Sequence, residues 1–305
     1  MNGESLLIGE IVTKFFNSLP VAVHKIVDRG ATNKVFRVDL SESTIVIRIS
    51  PEPNADQFQK EQWEMEQARQ LQISTPKVLS VGMYENTPYM IQEFIGGVHG
   101  TEAPNKTGLW KTLGEYAKII HSMPTKGFGD HMDMQFPGKF DSNRKDLSEY
   151  LKYNIDELND KDILLKMDIL TLRQSEKIKA MLESLKDESF TFGLNHGDLS
   201  LKNIIDKNGQ VFLFDWGSSE VHIIPHFDFM EALQTSFKFK FEDRDFVAFI
   251  NAYGFSENQF MEIKPTIDIL FLLRAIDKLR WAIEKNHKAD HFINILGEVL
   301  AYLEL

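Results

Sequence analysis

Strand-type and helix-type patterns are divided unevenly along this chain, and that division limits the folds open to it. After a short amphipathic helical pattern at residues 5–17, five β-type segments and one long helical pattern fill the region before Gly97. The β-type segments are residues 23–28, 34–40, 44–49, 77–81 and 88–94, and the helical pattern is 55–72. Beyond Gly97, helical patterns dominate. Strands that precede a run of helices predict an α+β fold.

The predicted architecture has a small antiparallel-sheet lobe at residues 1–96 and a larger, mainly helical lobe at residues 97–305. A chain of 305 residues exceeds the usual size of a single core. The helical patterns of the second lobe are 106–123, 140–158, 171–185, 227–237, 243–253, 263–286 and 289–303, with a Gly- and Pro-rich loop at 124–138. The hinge is expected at residues 93–97, and ligands commonly bind in such interdomain clefts.

Charge and cysteine content exclude several classes of partner and site. The 45 acidic and 34 basic residues give a formal net charge of −11, which repels nucleic acid and suits cationic ligands. There is no cysteine, so disulfides, cysteine–zinc sites and thiol nucleophiles are excluded. No apolar run reaches the ~18 residues of a membrane span, and no secretory signal is visible at the start. A soluble cytoplasmic protein without membrane or nucleic-acid partners is expected.

A β-rich island at residues 190–215 interrupts the helical patterns and carries three oxygen-bearing side chains. Asp198 and Asn203 lie on one loop, and Asp215 ends the apolar segment 211–214. A hairpin turning at Asn208-Gly209 is predicted to bring these segments together. Phosphoryl transfer from a nucleoside triphosphate needs Mg²⁺ held by hard oxygen ligands and a carboxylate that orients a hydroxyl and takes its proton. The spacing therefore predicts one base and two metal ligands.

His196-Gly197-Asp198 with Asn203, followed by Asp215-Trp216-Gly217, resembles the catalytic loop and metal-binding motif of the aminoglycoside phosphotransferase and choline kinase-like superfamily. That resemblance implies a protein-kinase-like fold. It also implies that Asp198 is the catalytic base, that Asn203 and Asp215 hold Mg²⁺, and that His196 holds the loop. The phosphoryl donor would be ATP or GTP.

Nucleotide-binding residues are expected upstream of the island. Gly30, Thr32 and Asn33 form a turn that resembles the family's phosphate-covering turn. Arg48 lies in an apolar segment, and we expect it to have an anionic partner, because a buried unpaired cation is costly. The resemblance implies that it contacts the α and β phosphates, whereas an exposed edge-strand arginine is the alternative.

The partner of Arg48 should come from the helical pattern 55–72. The family pattern selects Glu64, with Glu61 as the alternative one turn away. The resemblance also assigns residues 92–95, including Gln92, Phe94 and Ile95, to main-chain recognition of the purine.

The acceptor is expected to be a small hydroxyl compound, for which a cation is one candidate. Only twelve residues separate Asp215 from Asp228, which is short for the activation loop of a protein kinase, and Asp228 is expected to cap a helix. Candidate acceptor contacts are Glu231, Glu242, Asp243, Asp268, Asp277, Glu284, Trp281, Phe237, Phe239 and Phe241, although most of these positions also suit a solvated surface or a core.

An aminoglycoside-type antibiotic is the favoured acceptor. The alternatives are a metabolic or related kinase of the same fold, acting on choline, homoserine, methylthioribose, a macrolide or fructosamine. A non-catalytic nucleotide-binding scaffold is a further alternative that the presence of Asp198, Asn203 and Asp215 disfavours. The sequence leaves open which hydroxyl is modified.

Overall fold

Residues 3–26 and 33–305 are described by the computed structural model. The chain divides into two compact units, of which the first comprises Met1–Lys106 and Leu201–Gly217 and the second Thr107–Ser200 and Ser218–Leu305. Residues 97–106 and 201–217 thus belong to the first unit, although the sequence-based boundary at residue 96 assigned them to the second lobe. The chain therefore enters the first unit twice.

The first unit is built on an antiparallel five-stranded sheet. Its elements in chain order are α1 (Gly3–Phe16), β1 (Ala22–Ile26), β2 (Lys34–Asp39), β3 (Thr44–Ile49), α2 (Asp56–Gln70), β4 (Val78–Tyr84) and β5 (Thr87–Glu93). The strand order is β1-β2-β3-β5-β4, with every neighbouring pair antiparallel. A short strand, β6 (Val98–His99), follows.

Alternating apolar side chains place a core on one face of this sheet. Phe36 and Val38 of β2 and Ile45 and Ile47 of β3 are buried and pack with the buried face of α1. A period of two along a strand directs alternate side chains to one face. The same alternation leaves Arg48 on the opposite face from Ile47.

The second unit begins at Thr107, within α3 (Lys106–His121), which is followed by short strands and further helices. These are β7 (Lys126–Gly127), β8 (His131–Met132), β9 (Lys139–Asp141), α4 (Leu147–Glu157), α5 (Ile163–Lys166), α6 (Leu172–Ser184) and β10 (Phe192–Asn195). The predicted helix at 140–158 starts too early, because residues 139–141 pair as a strand. Helix α4 begins only after Asp146, whose side chain accepts a hydrogen bond from Glu149 N at 2.9 Å.

The predicted hairpin is present in the segment that returns to the first unit. β11 (Ile204–Lys207) and β12 (Gln210–Leu213) pair antiparallel, with both Asn208 and Gly209 at positive φ in the turn. β11 also pairs with β6. The short strand β13 (Glu220–Ile223) then pairs with β10 in the second unit.

The last helices complete the second unit around an aromatic core. They are α7 (His226–Thr235), α8 (Arg244–Tyr253), α9 (Glu257–Glu284) and α10 (Asp290–Tyr302). Helix α9 begins six residues before its predicted start, because Ser256 and Gln259 form a capping box. Among the described residues, no helix combines the length and the apolar character of a membrane span.

Candidate active site

Arg48 of the first unit lies in a buried ion-pair cluster, as a cation in an apolar strand requires. Its guanidinium forms a two-pronged contact with Glu61, and its Nη2 lies 3.3 Å from Asp215 Oδ1. Burial alone would lower the pKa of Arg48, but the attraction of Glu61 and Asp215 outweighs it and raises the pKa. Arg48 is therefore a fixed cation beside Asp215.

The ion-pair partner of Arg48 on α2 differs from Glu64, the residue that the family pattern favoured. Glu61, the alternative, makes the ion pair, and its side chain is fully buried. Glu64 is also buried, three residues further along α2. Positions 61 and 64 share a helix face, so the rotation of α2 against β3 decides which carboxylate reaches the guanidinium.

Asn203 and Asp215 are held side by side in the first unit by the hairpin. Phe214 N donates a 3.0 Å hydrogen bond to the carbonyl of Asn203, which places the residue before Asp215 next to Asn203. Asn203 is buried, at the end of a single 3₁₀ turn, Leu201–Asn203. Asp215 has φ of 60°, a left-handed conformation that is uncommon outside glycine and is concentrated at functional sites.

This pair of side chains fits a hard cation such as Mg²⁺. Carboxylate and amide oxygens are the ligands that Mg²⁺ prefers, and it keeps its remaining positions for water and phosphate oxygens. The Asp215 side chain is 45% exposed and can accept such an ion. Among the described residues, no group of three or more histidine and acidic side chains is arranged to hold a metal.

The other predicted nucleotide-binding residues are distributed as follows. Gly30 and Thr32 lie outside the described residues, and Asn33 directly precedes β2. Gln92 is buried near the end of β5, Ile95 is buried just beyond it, and Phe94 is exposed beneath the guanidinium of Arg37 at 5.0 Å. Their roles toward a purine stay predictions.

Asp198 lies in the second unit, on a loop that is anchored by a buried carboxylate. Asp228 of α7 accepts hydrogen bonds from His196 N at 3.1 Å and Gly197 N at 2.8 Å, the two amides before Asp198. Its Oδ2 also lies 3.1 Å from His121 Nε2. Burial alone would raise the pKa of Asp228, but the hydrogen bonds from His121 and the loop outweigh it, so the pKa is lowered. The prediction that Asp228 caps a helix was wrong, because its side chain binds the loop instead.

Gly197 allows this loop to turn tightly. Its φ is +73°, and a Cβ at this position would lie 2.2 Å from the carbonyl oxygen of Ser218. A residue with a side chain would both clash and adopt an unfavourable conformation. The tight turn therefore requires glycine at the middle position of the His-Gly-Asp motif.

The second unit also contains a pocket of about 400 Å³, a size typical of small-molecule sites. Strand β13 contributes Glu220 and His222, which alternate with the buried Val221 and Ile223. One face of α9 contributes residues spaced by three and four, and α4 contributes Tyr150 and Tyr153. Helix α7 and the loop residues 128–130 and 142–144 also line it, so the pocket is formed by one strand, three helices and two loops.

Arg274 of α9 organises the inner side of this pocket. Its Nε lies 2.5 Å from Glu231 and its Nη1 3.2 Å from Glu220, while its guanidinium lies over the ring of Phe227. Burial raises the pKa of Glu231, and the charge of Asp198 adds to that rise, so Asp198 lies within electrostatic reach of this network.

The acceptor candidates from the sequence separate into residues at the pocket and residues away from it. Asp277, Trp281 and Glu284 line the pocket, and Glu231 pairs with Arg274. The others have structural contacts: Asp243 caps α8, Asp268 pairs with Lys264, Phe237 packs on Trp110, Phe239 stacks on Tyr302, and Phe241 packs on Phe260. Glu242 is exposed and does not line the pocket.

Sequence reasoning missed Arg274, Glu220, His222 and the two tyrosines of α4. Arg274 carried a usable signal, since it interrupts the apolar run at residues 267–276 and a charge in such a run needs a partner. Strand β13 has only four residues, which is too short for its alternation to stand out.

The model of the phosphotransferase enzyme family matches residues 23–263, so the chain belongs to that family. The resemblance deduced from the motifs is thereby confirmed. A search of curated proteins finds no match.

Solved structures with the same fold are distant in sequence. A thermostable mutant of the aminoglycoside phosphotransferase APH(4)-Ia, in a complex with AMP-PNP and hygromycin B, is 16% identical with a TM-score of 0.68, covering 96% of this chain and 97% of its own. The spectinomycin phosphotransferase APH(9)-Ia is 12% identical with a TM-score of 0.63, covering 96% and 93%. A protein assigned as a fructosamine-3-kinase from Haemophilus somnus 129PT is 13% identical with a TM-score of 0.64, covering 97% and 96%. These likenesses confirm the α+β, protein-kinase-like fold.

Proposed function

We propose that this protein is a cytoplasmic small-molecule kinase that transfers the γ-phosphoryl group of ATP to a hydroxyl of an acceptor bound in the pocket of the second unit. Asp198 is the base, and Asn203 and Asp215 hold Mg²⁺. Arg48, fixed by Glu61, contacts the phosphates. GTP is the alternative donor.

The reaction joins the acceptor oxygen to the γ-phosphorus while the bond from that phosphorus to the β–γ bridging oxygen breaks. The hydroxyl proton passes to the Asp198 carboxylate, and the nucleoside diphosphate leaves. Bound Mg²⁺ would neutralise the charge of the phosphates. The chain's own contribution is to hold Asp198 on an anchored loop and to keep Arg48 charged.

The observation that carries the proposal is the Arg48–Glu61–Asp215 cluster, in a chain that belongs to the phosphotransferase enzyme family. A buried cation that pairs with one carboxylate on a helix and a second, partly exposed carboxylate beside Asn203 suits a metal–triphosphate complex. ATP as donor is supported by the AMP-PNP in the complex of the similar APH(4)-Ia mutant.

Two substitutions distinguish the proposed role of Asp198 from that of Asp215. Asp198→Ala should lower kcat by about 100-fold or more, with nucleotide affinity unchanged, because Asp198 acts on the acceptor. Asp215→Ala should remove Mg²⁺-dependent nucleotide binding. Both are measured by acceptor-dependent turnover and by calorimetric titration of nucleotide.

Asp160→Ala, at an exposed position, is the matched control and should behave as wild type. Retention of more than roughly a tenth of wild-type turnover in Asp198→Ala would contradict its role as base. Nucleotide binding without turnover on any hydroxyl compound would instead favour the scaffold alternative.

An aminoglycoside-type antibiotic is the acceptor that the sequence favours, and a metabolic acceptor of the same family is the alternative. Expression of the gene in a sensitive bacterial host, challenged with a panel of aminoglycosides, tests this choice. Protection against a member of the panel supports the antibiotic. Turnover of purified protein without any protection supports a metabolic substrate.

A further inference from the structure

The charges that line the pocket of the second unit are balanced, although the whole chain is acidic. The acidic lining residues are Asp130, Glu220, Asp277 and Glu284. The basic lining residues are Arg144, Arg274, Lys278 and Lys285. A site for a polycation would concentrate carboxylates, because complementary charge steers and holds such a ligand. The excess of acidic residues that gives the chain its net charge of −11 is therefore absent from the lining of this pocket.

The inner carboxylates are already engaged by the protein's own groups. Arg274 pairs with both Glu220 and Glu231. Asp277 accepts a hydrogen bond from Asn154 Nδ2 at 3.3 Å and interacts with the hydroxyl of Tyr150. An ammonium group on a ligand would compete with these internal partners, and displacing the half-buried guanidinium of Arg274 from its carboxylates is costly.

The more exposed residues that line the pocket also disfavour the binding of polycations. Lys278 and Lys285 are exposed, and half-buried Arg144 lies over the ring of Tyr153 at 3.5 Å. Two exposed acidic residues, Asp130 and Glu284, also line the pocket, so the three cations outnumber them there. A ligand with several positive charges would meet like charges at this wall.

Uncharged aromatic surface fills much of the remaining wall. The His222 ring packs between Phe128 at 5.1 Å and Phe227 at 4.4 Å. Burial, with Arg274 nearby, lowers the pKa of His222 to about 3, so this ring is neutral at physiological pH. Within the described part of the chain, His222 Nδ1 has no hydrogen-bond partner although it is buried. It offers one polar contact in an apolar setting.

From this lining, we propose that the acceptor is a hydroxyl compound of nearly zero net charge, neutral or zwitterionic, with an apolar or aromatic part that packs beside His222. This inference rests on the proposed kinase function, but it replaces the aminoglycoside-type acceptor that the sequence favours. It disfavours polycationic aminoglycosides among the hydroxyl acceptors of the family.

A panel of hydroxyl-bearing amines, each paired with its fully N-acetylated derivative, tests the charge preference. Acetylation keeps the hydroxyls and removes the ammonium charge. Turnover with Mg²⁺ and ATP should show a KM for the acetylated member at or below that of the amine. The KM of the best acceptor should change little with added KCl, because attraction between opposite charges is weakened by salt.

Charge-reversal variants of the outer wall provide a second measurement. Lys278→Glu with Lys285→Glu should lower the KM of polycationic acceptors by about tenfold, because the wall becomes strongly acidic. Lys177→Glu with Lys186→Glu changes the chain charge equally at exposed positions outside the pocket and should leave every KM unchanged.

A lower KM for the polycation in most pairs, with a KM that rises steeply with KCl, would overturn the proposal while leaving the kinase function intact. Equal responses of the two double variants would also overturn it. Absence of turnover across the whole panel would count against the proposed function itself.

Discussion

At the scale of single residues, Arg48 shows what a local sequence pattern can and cannot predict about an ion pair. A basic residue inside an apolar strand predicts a buried ion pair, and the pair is present. The identity of the partner does not follow from the sequence, because Glu61 and Glu64 lie on the same face of α2. The choice depends on how α2 is rotated against β3.

Glu61→Gln should lower the free energy of unfolding by about 3 kcal/mol, because it weakens a buried ion pair while Arg48 stays charged. Chemical denaturation of the purified variant measures this loss. Glu66→Gln, at an exposed position on the same helix, is the control and should change stability by less than about 0.5 kcal/mol. An unchanged midpoint in Glu61→Gln would contradict the assigned pair.

At the scale of elements, two helical glycines have opposite surroundings. A Cβ on Gly114 of α3 would lie 2.1 Å from the carbonyl oxygen of Phe249 and 3.0 Å from Ala252 Cβ, both on α8. A Cβ on Gly297 of α10 would meet no atom within 4 Å. Gly114 thus permits close packing of α3 on α8, whereas Gly297 only adds flexibility to its helix.

Gly297→Ala should raise the free energy of unfolding by about 0.5–1 kcal/mol, because alanine restricts the unfolded chain and favours helix. Gly114→Ala should lower it by about 1–3 kcal/mol through overpacking against α8. Thermal unfolding of the two variants side by side gives the comparison. Stabilisation by both substitutions would contradict the close contact between α3 and α8.

At the scale of the whole molecule, buried neutral histidines couple folding to pH. Burial lowers the pKa of His222 to about 3 and that of His226 to about 4, from an ordinary value of 6.5. Below that ordinary value the unfolded chain binds protons at these sites and the folded chain does not. The histidine contribution to stability is therefore complete above pH 6.5 and is lost as the pH falls toward 4.

Between pH 6.5 and about 5, each histidine should remove on the order of 2 kcal/mol from the free energy of unfolding. Burial raises the pKa of Glu220 and Glu231, which acts in the opposite sense, so the measured quantity is the difference from a variant. His222→Phe with His226→Phe should show a shallower loss of stability on acidification than wild type. His131→Phe, at a 77% exposed side chain, should show the wild-type slope, and three identical slopes would contradict the prediction.

The sequence by itself determined the order of the longer elements and the candidate chemistry of the loop, because both depend on neighbouring residues. The periodicities of two and of 3.6 predicted β2, β3 and most helices to within a few residues. The Asn-Gly turn predicted the hairpin beside Asn203 and Asp215. Asp198 as the base stays a prediction that rests on its motif.

Only the tertiary structure decided which charges meet. Asp228 holds the loop before Asp198, thirty residues away, and Glu61 reaches Arg48 across the gap between a helix and a strand. The pocket joins Tyr150, Glu220 and Arg274, which no local pattern connects. Such contacts depend on the rotation and packing of whole elements, and a helix turned by one residue would present a different set of side chains.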